Sequence, residues 1–381
     1  IVVSTDTTAA VTPTLAHIPA NTLAFNDSTA IQVVDDDWYG LAFHDNRRAF
    51  TRATMSSIAI TEVGGLAING TDFEFTAVGA EDAVNVATNV ADLINAGSEP
   101  VTAINNFDGT IDIVDTLASN AQATVADSSG NTNANSFAVV DPVVALATSM
   151  ESIKKLFGTS SGDTTFINVA EASDTLSNAK RLSDATLART YYGPYDTEAS
   201  TAFPELAWMG QMFPTDPGSA TWKFKTLATI TPEVLTETQK TNGLNKNGNI
   251  YTERGGVNIT CNGTVAEGEF IDIIRGVDWL DARMTERIYQ LLVNLPKIPY
   301  TNDGVATIEN EIRAQLDEAI EAGLIANDPA NHDGKPYTII VPLVEDVSPL
   351  DKADRLLQNV KFRATLAGAI HKVIIDGVVT V

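Results

Sequence analysis

An abrupt change in composition constrains the fold of this 381-residue chain more than any single motif does. From about Ser57 to Met150 the sequence is poor in Lys and Arg and rich in Thr, Asn, Ala and Val, whereas helical and strand patterns alternate on both sides of it. A change of composition that interrupts such an alternation indicates a separate structural unit. We therefore predict an inserted domain at residues 57–150 within a discontinuous α/β domain.

The insert has the pattern of two hairpins around one helix. Alternating apolar runs flank Asn69-Gly70 and Asp108-Gly109, dipeptides that favour tight hairpin turns. Residues 80–97 lie between the hairpins and have helical spacing, which ends at Gly97. The apolar face of this predicted helix comprises Val86, Val90, Leu93 and Ile94. We predict a small, mostly β unit of the form ββαββ.

The segments around the insert predict helices packed on a mixed sheet. The run "WYGLAF" is typical of a buried strand, and the residues after it favour a helix that begins near Asn46. After the insert we expect a helix that ends near Gly158 and a strand at Phe166–Val169. The predicted fold class is α/β (mixed α+β).

Composition and charge exclude several classes of protein. The chain has 49 Asp and Glu against 24 Lys and Arg, a formal charge of −25, which repels phosphate backbones and anionic lipids. We therefore expect no nucleic-acid partner and no membrane binding by this chain. The single cysteine, Cys261, excludes an intrachain disulfide.

The stretch "GEFIDIIRGVDWLDARMTERIYQLLVN", residues 268–294, places Glu269, Asp272, Asp278 and Asp281 close together in sequence. "EFIDIIRG" alternates like a strand, and Asp278 and Asp281 then fit the N-cap and N3 positions of a following helix, where carboxylates accept unpaired backbone N–H groups. We predict a structural helix cap. A glycosidase-type pair needs two carboxylates that face each other across a cleft, and this spacing does not provide that.

No other motif predicts chemistry. The four histidines are scattered without metal-ligand spacing, and phosphate-binding and nucleophile motifs are absent. The run Asp35–Asp37 fits a solvated acidic loop better than a cation site, because consecutive residues point in different directions. We expect no catalytic residue, no metal and no cofactor.

Four stretches carry a family resemblance: "DDDWYGLAF", "TWKFKTL", the segment that runs from "GEFIDIIRG" to "IPYTNDGVATIENEI", and the ending "KFRATLAGAIHKVIIDGVVTV". Together they resemble the contractile tail sheath proteins of myophages. The resemblance covers Gly158–Val381 and, with fewer matching positions, Asn21–Met55. It departs from the family pattern at Asn302 in "IPYTNDG".

This resemblance implies a structural protein rather than an enzyme. Subunits of this family stack as hexameric rings around a tail tube and contract from an extended state to drive the tube through the host envelope. The implied partners are other sheath subunits, the tail tube protein, and the baseplate and tail terminator proteins. The implied location is the virion, after assembly in the host bacterial cytoplasm. The alternatives are a non-contractile virion protein of the tube or capsid, and a hydrolase with an acidic site.

The predicted domain organisation combines the patterns with the resemblance. Its parts are an N-terminal arm and linker (1–20), the discontinuous α/β domain (21–56 and 151–265), the insert (57–150), a C-terminal sheath core domain (266–370) and a C-terminal strand arm (371–381).

Both ends of the chain are β-branched runs without a nearby strand partner, and the resemblance implies that such arms add strands to the sheets of neighbouring subunits. The alternative is that the ends pair with each other or with the central sheet. The predicted arm residues are Ile1, Val2, Val3, Ser4, Thr5, His371, Lys372, Val373, Ile374, Ile375, Val378, Val379 and Val381.

Basic residues near the C-terminus stand out in this acidic chain. The resemblance implies that the C-terminal domain faces the tube, so these residues are candidate tube contacts, although ordinary solvated charges are the alternative. They are Lys352, Arg355, Lys361 and Arg363.

Overall fold

The computed structural model describes residues 2–3, 39–44, 50–115, 123–328 and 334–374. The predicted positions Ile1, Ser4, Thr5, 35–37 and 375–381 lie outside these ranges. The strands are β1 (Val2–Val3), β2 (Gly40–His44), β3 (Phe50–Thr54), β4 (Val63–Ile68), β5 (Thr71–Thr76), β6 (Val101–Asn105), β7 (Thr110–Asp115), β8 (Val125–Asp127), β9 (Ser136–Val140), β10 (Leu156–Ser160), β11 (Thr190–Tyr192), β12 (Ile250–Arg254), β13 (Val257–Cys261), β14 (Tyr337–Ile340) and β15 (Lys361–Ala364). The α-helices are α1 (Ala83–Ala96), α2 (Pro142–Ser152), α3 (Thr165–Asn168), α4 (Asn178–Asp184), α5 (Ala199–Ala202), α6 (Pro204–Met212), α7 (Glu237–Asn245), α8 (Ile271–Asn294), α9 (Asn302–Glu321) and α10 (Pro349–Ala353).

A mixed four-stranded sheet in the order β1-β2-β10-β11 organises the α/β part of the chain. Strand β10 pairs in parallel with β2 and β11, and all five of its residues are buried, as expected for a central parallel strand. Phe157 faces one core with α2 and α4, while its neighbour Leu156 faces a second core with α6. The predicted α/β class is confirmed.

The insert contains the predicted hairpins and helix. Asn69 and Gly70 have φ values of 53° and 85° and join β4 to β5, while the turn with Asp108-Gly109 joins β6 to β7. On α1, Val86, Val90 and Ile94 are buried, whereas Leu93 is 38% exposed. Two further strands that the sequence did not predict, β8 and β9, complete the sheets β5-β4-β8 and β6-β7-β3-β9.

Two local predictions next to the insert are wrong. Asn46, the predicted start of a helix, lies outside the described residues, but Phe50–Thr54 beyond it form strand β3. This strand pairs with β7 and β9 and places Arg52 beside Asp112. Phe166–Val169 is not a strand, because Thr165–Asn168 is the short helix α3 and the strand is β10. In both cases the deciding partners lie far away in sequence, where local periodicity cannot detect them.

The largest correction concerns residues 270–294. "EFIDIIRG" is not a strand, because α8 runs without a break from Ile271 to Asn294, with Phe270 at its N-cap. The buried positions Ile271, Arg275, Gly276 and Leu280 recur at helical spacing. Ile271 belongs to the core beneath α6, whereas Leu280 belongs to a separate core with α9. Helix α8 therefore joins two hydrophobic cores.

Arg275 fixes the first half of α8 to the end of α6. Its guanidinium donates to the backbone oxygens of Met212, Phe213 and Thr215 at 2.9, 2.9 and 2.7 Å. Carbonyls at a helix C-terminus have no partner within the helix, and a cation stabilises that end of the dipole. Arg275 is only 8% exposed, so these contacts satisfy groups that are shielded from water.

The C-terminal part is an α-helical hairpin with a small sheet on it. Helices α8 and α9 pack around Leu280, Ile312 and Leu316, and the antiparallel pair β14–β15 adds Tyr337 to this core. In the described residues, no helix is long and apolar enough to cross a membrane.

The anchoring role of Arg275 gives a stability prediction. Arg275→Met keeps most of the packing but removes the guanidinium donors from the buried carbonyls at and just after the end of α6, so we expect a loss of about 2–3 kcal/mol in the free energy of unfolding. Arg283→Met on the same helix is the control, since Arg283 forms an exposed pair with Glu286 and its replacement should change stability by less than about 0.5 kcal/mol. Urea unfolding of both variants measures the difference. Equal losses would contradict the anchor.

Candidate assembly site

The β14–β15 pair is a two-stranded sheet with free edges. Within the described residues, β14 and β15 pair only with each other, in a register that aligns Tyr337 with Ala364 and Ile340 with Lys361. Each strand therefore presents one row of backbone N–H and C=O groups that no other described strand occupies. Such an edge can accept an added strand.

The two faces of this sheet differ in chemistry. Tyr337, Ile339 and Ala364 lie on the face that packs against α9. Lys361 and Arg363 point to the opposite face and are both exposed. The other two candidate tube contacts, Lys352 and Arg355, lie in α10 and just after it. The fold thus places two of the four predicted cations on one exposed face.

After β15 the chain remains attached to its own subunit for several residues. Ala326 N–H donates to the Thr365 carbonyl, and Ala367 N–H donates to the Leu324 carbonyl at 2.8 Å. Further on, His371 hydrogen-bonds Thr221. Residues 371–374 have no strand pairing, and the rest of the predicted C-terminal arm lies outside the described residues.

The N-terminal strand pairs within its own chain. Val2 and Val3 lie antiparallel to Leu41 and Gly40 at the edge of the central sheet. This is the intrachain pairing that the sequence left as the alternative for the arm residues. Strand exchange between copies stays a prediction for both ends, because a single chain does not test it.

Asp278 is not a helix cap, contrary to the prediction, because it lies in the middle of α8. Its Oδ1 accepts from Arg189 Nη2 at 2.7 Å, and its Oδ2 accepts from Arg189 Nε at 2.8 Å and from the Tyr39 hydroxyl at 3.0 Å. Arg189 also pairs with Glu151 at 2.7 Å. The hydrogen bond with Asp278 is the main reason why the pKa of Arg189 is raised, while burial, then Asp278, raises the pKa of Tyr39. This bidentate pair ties α8 to the central sheet.

Asp281 is not a first-turn residue either. It lies three residues further along the same helix and forms an exposed ion pair with Lys154 at 3.2 Å. Of the other acidic residues, Glu269 is exposed and accepts from the Phe270 backbone N–H, and burial raises the pKa of Asp272. The carboxylates of this stretch therefore bind different parts of the chain and do not converge on one cleft.

Within the described ranges, no group of three or more His, Cys, Asp or Glu side chains could hold a metal ion. Three residues join the parts of the chain: Arg189, Arg275 and His371. The sequence assigned no contact to Arg189 or Arg275, and it placed His371 in the arm that binds a neighbouring copy. The partners of these three residues lie 38 to 150 residues away in sequence. The one available signal was a basic residue inside an apolar run, as in "DIIRGV".

Comparison with known proteins gives a family match for the C-terminal region. Residues 271–379 match the family model described as "E217 tail sheath protein gp31-like, C-terminal domain", so the match begins at the first residue of α8. A solved structure titled "Cryo-EM structure of the anti-feeding prophage (AFP) baseplate, 6-fold symmetrised" is similar, with a TM-score of 0.43 and 11% sequence identity. The alignment covers 62% of this chain and 65% of that chain. No curated protein matches the sequence significantly.

The contacts of Asp278 predict a structural rather than a catalytic role. Asp278→Asn removes the charge that Arg189 pairs with, so we expect a loss of about 2 kcal/mol in the free energy of unfolding. Asp281→Asn is the matched control and should cost less than about 0.5 kcal/mol, because its ion pair is exposed. Thermal and urea unfolding measure both changes. If Asp278→Asn is as stable as the control, the ion pair does not hold α8 to the sheet.

Proposed function

We propose that this chain is the repeating subunit of a contractile tail sheath, because residues 271–379 match the C-terminal domain of a phage tail sheath family. It assembles as stacked hexameric rings around the tail tube and shortens to drive the tube through the host envelope. In this role it is not an enzyme and needs no cofactor. It joins the virion during assembly in the host bacterial cytoplasm.

The observation that carries the proposal is the β14–β15 sheet inside the family-matched region. A two-stranded sheet is marginally stable alone, and here it has free edges next to a chain end rich in β-branched residues. Ile370, Val373 and Ile374 are 83%, 69% and 75% exposed. An arm from a neighbouring copy that adds to this sheet would cover apolar side chains and pair the open backbone groups at once.

The proposed linkage suits a lattice that must rearrange without falling apart. Backbone ladders between arms and sheets keep subunits connected, while the faces between subunit bodies slide or separate. Helix α8 couples the linked C-terminal part to the α/β body through Arg275 and Asp278. The body would then move as one unit when the C-terminal part changes its position.

We propose that the cationic face of β15 contacts the tube. Lys361 and Arg363 lie on the face opposite to the α9 core, and the remainder of the chain is strongly acidic. This face fits an acidic partner surface. The baseplate and the tail terminator protein are the partners at the two ends of the sheath.

The insert is proposed to lie on the outside of the sheath. Residues 57–150 contain no Lys or Arg, so their carboxylates repel one another between copies. A peripheral position keeps these units far apart and fully solvated. Near the tube they would be crowded against each other.

Deletion of residues 375–381 tests the linkage. We expect the truncated protein to fold but to lose the ability to form long tubes on its own, because the arm no longer reaches a neighbour. Negative-stain microscopy and sedimentation measure assembly, and thermal unfolding checks the fold. The control is the replacement of residues 375–381 by a Gly/Ser segment of the same length, which should fail to assemble in the same way. Long tubes formed by either protein would contradict arm linkage.

The double variant Lys361→Glu/Arg363→Glu tests the tube contact. We expect it to form empty tubes of sheath normally but to co-assemble poorly with tail tube protein, because the charge of the facing surface is reversed. Lys297→Glu/Lys335→Glu, with the same change of charge at other exposed residues, is the control and should co-assemble like the unaltered protein. Co-sedimentation with tube protein at low and physiological salt measures binding. A normal yield of sheathed tubes from the β15 variant would exclude this face as the contact.

A further inference from the structure

His371 occupies an aromatic notch on the body of its own subunit. Its Nε2 is 2.8 Å from Thr221 Oγ1. Its ring packs edge-on against Phe270 and Phe224, with centroid distances of 4.7 and 5.9 Å. Thr221 and Phe224 precede β12, and Phe270 is the N-cap of α8, so the notch belongs to the α/β body.

The notch is formed at some conformational cost. Phe224 has a φ of 63°, a left-handed backbone conformation that is uncommon for a bulky residue. Its N–H donates to the Thr260 carbonyl, and Lys223 Nζ lies 5.1 Å from its ring centroid. These contacts hold the ring where His371 meets it. Strained residues held in this way cluster at functional contacts.

His371 is a partly buried residue with exposed residues on both sides of it in the chain. The preceding residue, Ile370, is 83% exposed, and Val373 and Ile374 beyond it are 69% and 75% exposed. Between β15 and the notch, Leu366 bridges to Ile325. The last described attachment of the C-terminal segment is therefore one partly buried histidine between exposed apolar residues.

We propose that His371 is the fixed root of the C-terminal arm: it fastens the segment after β15 to the α/β body of its own subunit, and only the residues from Lys372 onward are available to a neighbouring copy. This inference rests on the proposed sheath function for the use of the arm, but the fastening itself is a property of the isolated subunit. The sequence placed His371 in the strand that is added to a neighbouring copy. The contacts in the notch make it instead an anchor to its own subunit.

The anchor gives the C-terminal part a second connection to the body. The first connection is α8, through Arg275 and Asp278. The second runs from β15 along the chain to His371 and its contacts with Thr221 and Phe224.

The anchor should weaken in acid. Burial, followed by the nearby charge of Lys223, lowers the pKa of His371, so the docked ring favours its neutral form. The released ring takes up a proton more readily, so docking is strongest above the ordinary histidine pKa of about 6.5 and declines as the pH falls below it. The charged groups on the packed elements are Lys223 and Lys225 on one side and Glu269 and Asp272 at the start of α8 on the other.

Tryptic cleavage after Lys372 reports directly on the anchor, because the bond lies next to His371. We use the full chain as monomer at low concentration and compare His371→Ala with Ile370→Ala, which changes an exposed neighbour. We expect His371→Ala to increase the cleavage rate after Lys372 about tenfold, since one hydrogen bond and two ring contacts are lost, and Ile370→Ala to leave it unchanged. Equal rates for the two variants would overturn the proposal.

Hydrogen exchange provides a second measurement that does not depend on the protease. In the unaltered protein, protection of the Ala367 amide should fall as the pH decreases from 7.5 to 5.5, after correction for intrinsic rates, whereas His371→Phe keeps the packing and should remove this pH dependence. If His371→Phe shows the same pH dependence as the unaltered protein, His371 is not the group that controls the segment. The anchor and the arm linkage can fail separately. Faster cleavage of the His371→Ala monomer would support the anchor, whereas tubes formed by the protein without residues 375–381 would refute arm linkage.

Discussion

The architecture depends on one helix that belongs to two hydrophobic cores. Helix α8 begins in the core beneath α6 and continues into the core with α9, and two polar contacts fix its first half to the α/β body. Arg275 satisfies the carbonyls at the end of α6, and Asp278 forms a bidentate pair with Arg189 beside the central sheet. Gly276 allows close contact, because a side chain there would collide with Leu324 after α9. Helix, body and C-terminal sheet are therefore coupled mechanically.

This coupling gives the proposed sheath function a physical basis. A subunit linked to its neighbours through the C-terminal sheet can transmit force to its body only if the connection between them is stiff. A continuous 24-residue helix, anchored at residues one turn apart, supplies that stiffness without a flexible joint. Two of the four carboxylates in the stretch around α8 have structural ion pairs: Asp278 pairs with Arg189, and Asp281 pairs with Lys154 at the surface.

The sequence correctly predicted the turns and the helix whose formation depends on residues close together in the chain. The hairpin turns at Asn69-Gly70 and Asp108-Gly109 and the helix from Ala83 to Ala96 formed as expected, because turn chemistry and helical spacing are local properties. Predictions failed where residues far apart in sequence determine the secondary structure. Strand β3 depends on β7 and β9. "EFIDIIRG" alternates like a strand, although its buried residues pack in the core with α6, bind the end of α6 and lie beside Leu324 after α9. For the candidate assembly site, the sequence indicated the apolar C-terminal segment and the basic residues near it. It did not indicate the two-stranded sheet with open edges or the notch that holds His371.

The charge of the chain explains why a backbone linkage suits it. A subunit with a formal charge of −25 is repelled by every copy of itself, and physiological salt screens this repulsion only beyond about 8 Å. Contacts between acidic faces are therefore weak and easily rearranged, whereas ladder hydrogen bonds and buried β-branched side chains do not depend on the sign of the surface charge. A lattice that combines charge-independent links with repelling faces remains connected while its subunits separate. In such a lattice the fixed root at His371 would set the length of each link, because an arm that slipped along its own subunit would let the repelling bodies drift apart.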